Sequence, residues 1–254
     1  MFRSSMTRFF CLSLALLALG FVGSAGAGEQ YFLLMYASQR VPANPNYSHT
    51  FATFAKVSWQ GDGPCPGNPL LESHTISWLP ANMIVRTTAL KPECGHNFGL
   101  HETLQEAYRT GQRVSLWGPY PIQPELYYRA LNRKAELEGG KILYKANDVG
   151  YRSDRVTNCI HAVSTIVEGP KLRIASPGWG QSASYFVLKE MKPSILSHQT
   201  EPWVGSALGL DQYPILYRDY RNPRSNAIVG PVFRLLGNER GMKATYGPPT
   251  SRTP

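Results

Sequence analysis

The residues best suited to chemistry are a cysteine and two histidines. Cys159 opens the stretch "RVTNCIHAVSTIV", where Thr157 or Asn158 offers an N-cap and Cys159, Val163, Ile166 and Val167 fall along one helical side. A cysteine at a helix start meets unpaired backbone N–H groups and the positive end of the helix dipole, both of which favour a thiolate. A thiolate nucleophile needs a base, and the base needs a group to orient it. His49 in "NYSHTFATF" and His74 in "LLESHTISWL" each begin a predicted strand. Paired in one sheet, the two imidazoles would lie side by side at one sheet end. That arrangement assigns Cys159 as nucleophile, His49 as general base and His74 as orienter. His161, two positions after Cys159, points away around the helix and is read as a packing or surface residue.

Other constellations carry less. "ECGHNFGLHE" places Cys94, His96, His101 and Glu102 close together, but the spacing matches no zinc motif of stated geometry, and no metal is assigned. Serines in "GWGQSASY" and "WVGSALG" lack the G-x-S-x-G setting of a nucleophile elbow. Glu136 and Glu138 read as a solvated helix face, and Asp148 and Asp154 as loop residues. No organic cofactor is expected.

The case for a reactive thiol depends on compartment. Arg3 and Arg8 precede an apolar stretch from Phe9 to Val22, and Ala25-Gly26-Ala27 matches a cleavage signal, so residues 1–27 read as a secretory signal peptide. Localisation is then secreted, periplasmic or cell-envelope, and no later stretch is long and apolar enough to span a bilayer. Cys65 in "GDGPCPGNP" and Cys94 in "LKPECGHN" are read as loop cysteines, natural disulfide partners in an oxidising compartment. Such a bridge would contribute roughly 3 kcal/mol by constraining the unfolded chain. It leaves Cys159 unpaired, either inert in the core or kept for its chemistry. Removing Arg3 and Arg8 takes the formal charge from +9 to +7, which favours contact with anionic envelope polymers or headgroups. No nucleic-acid module is present in the sequence.

The elements that must position these side chains follow from periodicity. Residues 31–38 read as a strand, and 49–59 as a strand with Phe51, Thr53, Ala55 and Val57 on one face. Residues 74–80 and 83–90 read as two further strands, and 114–122 as another. Helical spacing covers 100–112, stopped by Gly111, and 123–140, with Pro124 in its first turn and a Gly-Gly end. Residues 141–148 read as strand or extended chain, and "YFVLKEMKP" is open between helix and strand. One α+β domain over 28–240 is expected, an antiparallel sheet packed with helices, followed by an unstructured tail at 241–254.

A strand-starting His in "SHTFATF", a second polar residue in "SHTISWL" and a later Cys in "TNCIHAV" together resemble the circularly permuted NlpC-like branch of the papain fold. The resemblance covers about residues 45–168. It implies attack by Cys159 on an amide, ester or thioester carbonyl through an acyl-enzyme, with the Cys159 backbone N–H helping to stabilise the oxyanion. Amide hydrolysis, of a cell-wall peptide or similar bond, stands first. The substrate would be a peptide, an amide or an acyl lipid. The rival expectation is a non-enzymatic exported binding or envelope-structural protein with Cys159 buried and inert.

Overall fold

The computed structural model describes residues 28–59, 69–148, 150–151, 154–168, 172 and 179–220. The expected signal peptide at 1–27, Cys65 and the expected tail at 241–254 lie outside the described residues, and with Cys65 so does the expected disulfide. The chain divides into two units, Met1–Glu29 with Ser58–Leu70, and Gln30–Val57 with Leu71–Pro254. In the first, Trp59 N–H donates to the Gly28 carbonyl. The second holds the elements given below except the strand-end residues Glu29, Ser58 and Leu70, and its described residues are α+β, with two sheets and five α-helices.

In chain order the elements are β1 (Glu29–Gln39), β2 (Ser48–Ser58), β3 (Leu70–Ile76), β4 (Trp78–Pro80), β5 (Glu93–Asn97), α1 (Leu100–Arg109), β6 (Arg113–Ile122), α2 (Pro124–Glu138), β7 (Leu143–Tyr144), β8 (Val156–Thr157), α3 (Cys159–Ser164), α4 (Gln181–Glu190), α5 (Pro202–Ala207) and β9 (Leu216–Arg218). The larger sheet runs β3-β2-β1-β6-β9, with β1 antiparallel and β9 parallel to β6. The smaller runs β4-β5-β7-β8.

Strands β1 and β2 are buried on both faces, so β2 shows no apolar-in, polar-out alternation. Leu33, Met35 and Ala37 of β1, with Ala52 and Phe54 of β2, share a core with Leu126, Ala130 and Leu137 of α2, Val163 of α3 and Leu188 of α4. Helices α1 and α5 cover the other face. There Phe32 meets Trp203 of α5 edge-on, Tyr36 stacks on Phe51, and Thr103 of α1 reaches Ser77. A central strand sandwiched this way excludes water from both sides and carries aromatic or β-branched residues on each. No described helix is long and apolar enough to cross a membrane.

Three expected elements differ. Residues 83–90 form turns and loop rather than a strand: Met83 sits at φ 57°, and its N–H bonds the Pro80 carbonyl. The Thr87 N–H is taken by the Asn46 side chain instead of a ladder partner. The strand lies later, at β5, so Cys94 belongs to a strand and not a loop, and its thiol is exposed. The stretch 74–80 breaks at Ser77, with β3 in one sheet and β4 in the other. The stretch left open between helix and strand lies in helix α4 and the turn after it.

Candidate active site

Asn158 caps α3 as its sequence predicts. Its side-chain oxygen accepts the His161 backbone N–H at 2.8 Å, and Cys159 is the first helical residue. The cap is itself anchored, because Asn158 Nδ2 donates to Asp148 Oδ1 at 3.0 Å and to the Ala146 carbonyl at 3.3 Å. Asp148 Oδ2 lies 2.6 Å from His161 Nδ1, and His161 Nε2 lies 2.8 Å from the Leu172 carbonyl oxygen. Both His161 nitrogens therefore face acceptors, which ties the start of α3 to two loops. Asp148 is only 1% exposed. Asp148 is thus a buried anchor and not an ordinary loop carboxylate, and His161 is a bonded link and not merely a packing or surface residue. The local sequence offers only a capping Asn three residues before a His, and no spacing rule joins them to an Asp ten and thirteen residues upstream.

Cys159 is buried at 8% exposure, and burial pushes its thiol up to about 11. The backbone N–H groups of Thr50, Ile160 and Cys159 itself pull the other way, and the Asp148 charge adds to the rise. The expected thiolate is thus not the resting form. A helix of six residues offers a weak dipole, and removal from water outweighs it.

Thr50 places this sulfur beside the start of β2. The Thr50 side chain accompanies α4, with Ser184 Oγ 2.9 Å from Thr50 Oγ1 and donating to the Tyr36 carbonyl at 2.8 Å. The peptide whose N–H faces the Cys159 sulfur is the one that follows His49. The His49 ring stacks on Phe51 and sets Nε2 at 2.9 Å from Ser77 Oγ. Ser77 Oγ is 2.7 Å from Thr103 Oγ1, which is 2.8 Å from the Gly99 carbonyl oxygen.

The direction of this chain follows from hydrogen counting. A carbonyl only accepts, and a hydroxyl has one hydrogen. Thr103 shares its hydrogen between Ser77 Oγ and the Gly99 carbonyl, and His49 Nε2–H donates to the same Ser77 oxygen. Reversing that last bond would put the ring hydrogen on Nδ1, which is buried and has no partner, and an orphaned N–H is the costlier defect. The structure therefore holds His49 as a neutral imidazole with a bare Nδ1. Burial lowers its pKa to about 3. No hydrogen bond joins Cys159 to His49 or to His74 among the described residues.

His74 does not take the orienting place. The contacts Thr53–Thr75, Phe54–His74 and His49–Ser77 show numbering that rises along β2 as it falls along β3. The strands are antiparallel, so their starts lie at opposite ends. His74 sits opposite Phe54, five residues from His49, about 17 Å along the strand. Its ring packs between Phe54 and Tyr127, on the α2 side of the sheet, and both nitrogens are buried without a partner. Burial first, then the Lys134 charge, lowers its pKa to about 4. The residue that meets His49 is Ser77, at the break between the two sheets.

The metal-like stretch spreads out: Cys94 and His96 are both exposed on β5, while His101 on α1 bonds the Tyr213 hydroxyl at 3.1 Å. Among the described residues no group of three or more His, Cys, Asp or Glu could hold a metal ion. A cavity of about 520 Å³ lies on the α1 side, with His49 and Thr103 in its wall. No family model, curated protein or solved structure matches this chain.

Proposed function

We propose that the protein is an exported cysteine-dependent acyl-transfer enzyme, acting first as an amide hydrolase, with Cys159 as nucleophile and His49 as base. The observation that carries this reading is the state of His49. Its Nε2–H is committed to the Ser77 hydroxyl, which leaves Nδ1 a buried acceptor with nothing to accept, while the peptide that follows it faces the Cys159 sulfur.

With the thiol near 11 and the imidazole near 3, the resting pair is neutral on both sides. The mechanism is then general-base catalysis and not attack by a preformed thiolate. Nδ1 takes the S–H proton as sulfur bonds to the carbonyl carbon, and the carbonyl π electrons move to oxygen. Collapse of that intermediate expels the amine, which receives the proton from Nδ1–H, and leaves a thioester on Cys159. Water, deprotonated by Nδ1, then releases the acid and restores the thiol. Nδ1 must come within about 3.2 Å of the sulfur's hydrogen path in the substrate complex, a contact that tightens on binding in such pairs. Ser77, not His74, accepts the Nε2–H throughout.

The buried thiol itself favours a second reading, in which Cys159 is an inert core residue and the protein binds a ligand without chemistry. Iodoacetamide alkylation of Cys159, followed by mass spectrometry from pH 5 to 11, separates the two when done in wild type and in His49→Ala. The acyl-transfer reading expects labelling of the folded protein with a midpoint well above 8.5, slowed at least tenfold at neutral pH in His49→Ala. Labelling only after unfolding, indifferent to His49, removes the nucleophile and leaves the binding protein.

A further inference from the structure

The cavity beside His49 has a feature that neither reading uses. Its wall contains three arginines, Arg40, Arg86 and Arg109, and one glutamate, Glu106. Two of the cations are engaged. Arg109 grips Glu106 through Nε and Nη2, both at 2.7 Å, and Arg86 Nη1 reaches Glu93 at 3.1 Å. Arg40 is different. Its Nε donates to the Thr110 carbonyl at 2.8 Å, and its guanidinium lies 3.5 Å over the Tyr47 ring. Those two contacts fix the plane and direction of the fork. Neither terminal nitrogen has a hydrogen bond or ion pair among the described residues. A guanidinium oriented by a carbonyl and a ring, with its far edge unused, is preorganised for a planar oxyanion taken end-on.

The rest of the wall supplies an apolar counterpart: Leu79, Met83, Ile84, Val85 and Ala107. Glu106 does not oppose an incoming anion, since Arg109 holds both its oxygens. A volume of about 520 Å³ suits a small organic molecule. Met83, at φ 57°, is held in a conformation that a non-glycine residue adopts at a cost, and it faces this space.

We propose that this cavity binds a carboxylate-bearing ligand with an apolar body of about six carbons, its carboxylate paired to Arg40 Nη1 and Nη2 and its chain against Met83 and Leu79. The proposal stands apart from the acyl-transfer reading. If that reading also holds, the carboxylate marks one end of the substrate.

The test is an NMR titration of the purified full chain with hexanoate, 1-hexanol and hexyl phosphate, in wild type, Arg40→Gln and Arg40→Lys. Hexanoate is expected to bind saturably and at least tenfold more tightly than 1-hexanol. Arg40→Gln should erase that difference, Arg40→Lys should keep part of it, and chain protons should show NOEs to the Met83 methyl. If Arg40→Gln fails to fold, the wild-type NOEs decide: contacts elsewhere, or none, overturn the proposal. Equal affinity for hexanoate and 1-hexanol also overturns it, as does hexanoate binding unchanged in folded Arg40→Gln. Hexyl phosphate bound tenfold more tightly than hexanoate overturns the carboxylate assignment. Carboxylate binding with an inert thiol leaves this site standing without the enzyme, and a His49-dependent thiol with no carboxylate binding leaves the enzyme without this site.

Discussion

Two neutral buried imidazoles should make this fold sensitive to mild acid, and His74→Phe should remove half of the effect. His49 and His74 have folded values of about 3 and about 4, against 6.5 for a solvated histidine. The unfolded chain therefore binds more protons between pH 6.5 and 3, and stability falls with pH across that window. It is fully present above 6.5. At pH 4.5 each group lies two units below its unfolded value and still above its folded one. At about 1.4 kcal/mol per unit, each histidine then costs roughly 3 kcal/mol relative to pH 7.5. Together that is about 6 kcal/mol, comparable to the whole stability of many domains. Phenylalanine in place of His74 keeps the packing between Phe54 and Tyr127 and removes two unpartnered nitrogens. Urea unfolding at 25 °C, at pH 7.5 and 4.5, gives the difference for each protein, and carboxylate contributions common to both cancel. The variant should lose about 3 kcal/mol of the acid dependence and be at least as stable as wild type at pH 7.5. An unchanged acid dependence in the variant would show that His74 titrates normally and that its burial argument is wrong.

Ser77→Ala should destabilise by about 1–3 kcal/mol, because it leaves the His49 Nε2–H buried without an acceptor. The double variant Ser77→Ala, His49→Phe should recover part of that loss in urea unfolding, and strictly additive losses would refute the His49–Ser77 bond. Gly95→Ala should cost roughly 1–3 kcal/mol, since a Cβ there meets the buried Trp78 indole, and thermal unfolding would record it. Asp148→Ala frees the Asn158 cap and His161 together, so hydrogen exchange at the α3 amides should rise by more than tenfold, whereas unchanged protection would make the cap self-sufficient.

What the sequence by itself determined is local. The capping Asn158 and the apolar side that follows it put Cys159 at a helix start, and the aromatic, β-branched run after His49 put that residue at a strand start. Pro124 and Gly111 marked helix limits for the same reason: backbone preference acts over a few residues. The tertiary structure decided the partners. Strand pairing direction and register set Ser77, not His74, against His49, because side-chain period fixes which residues share a face but not which strand lies opposite. Burial, a property of everything packed around α3 and β2, decided the protonation state of the thiol and both imidazoles against the helix dipole. Asp148 and Arg40 gained their roles from contacts with segments 10 and 70 residues away, to Asn158 and to Thr110, and no short-range pattern records distances of that kind.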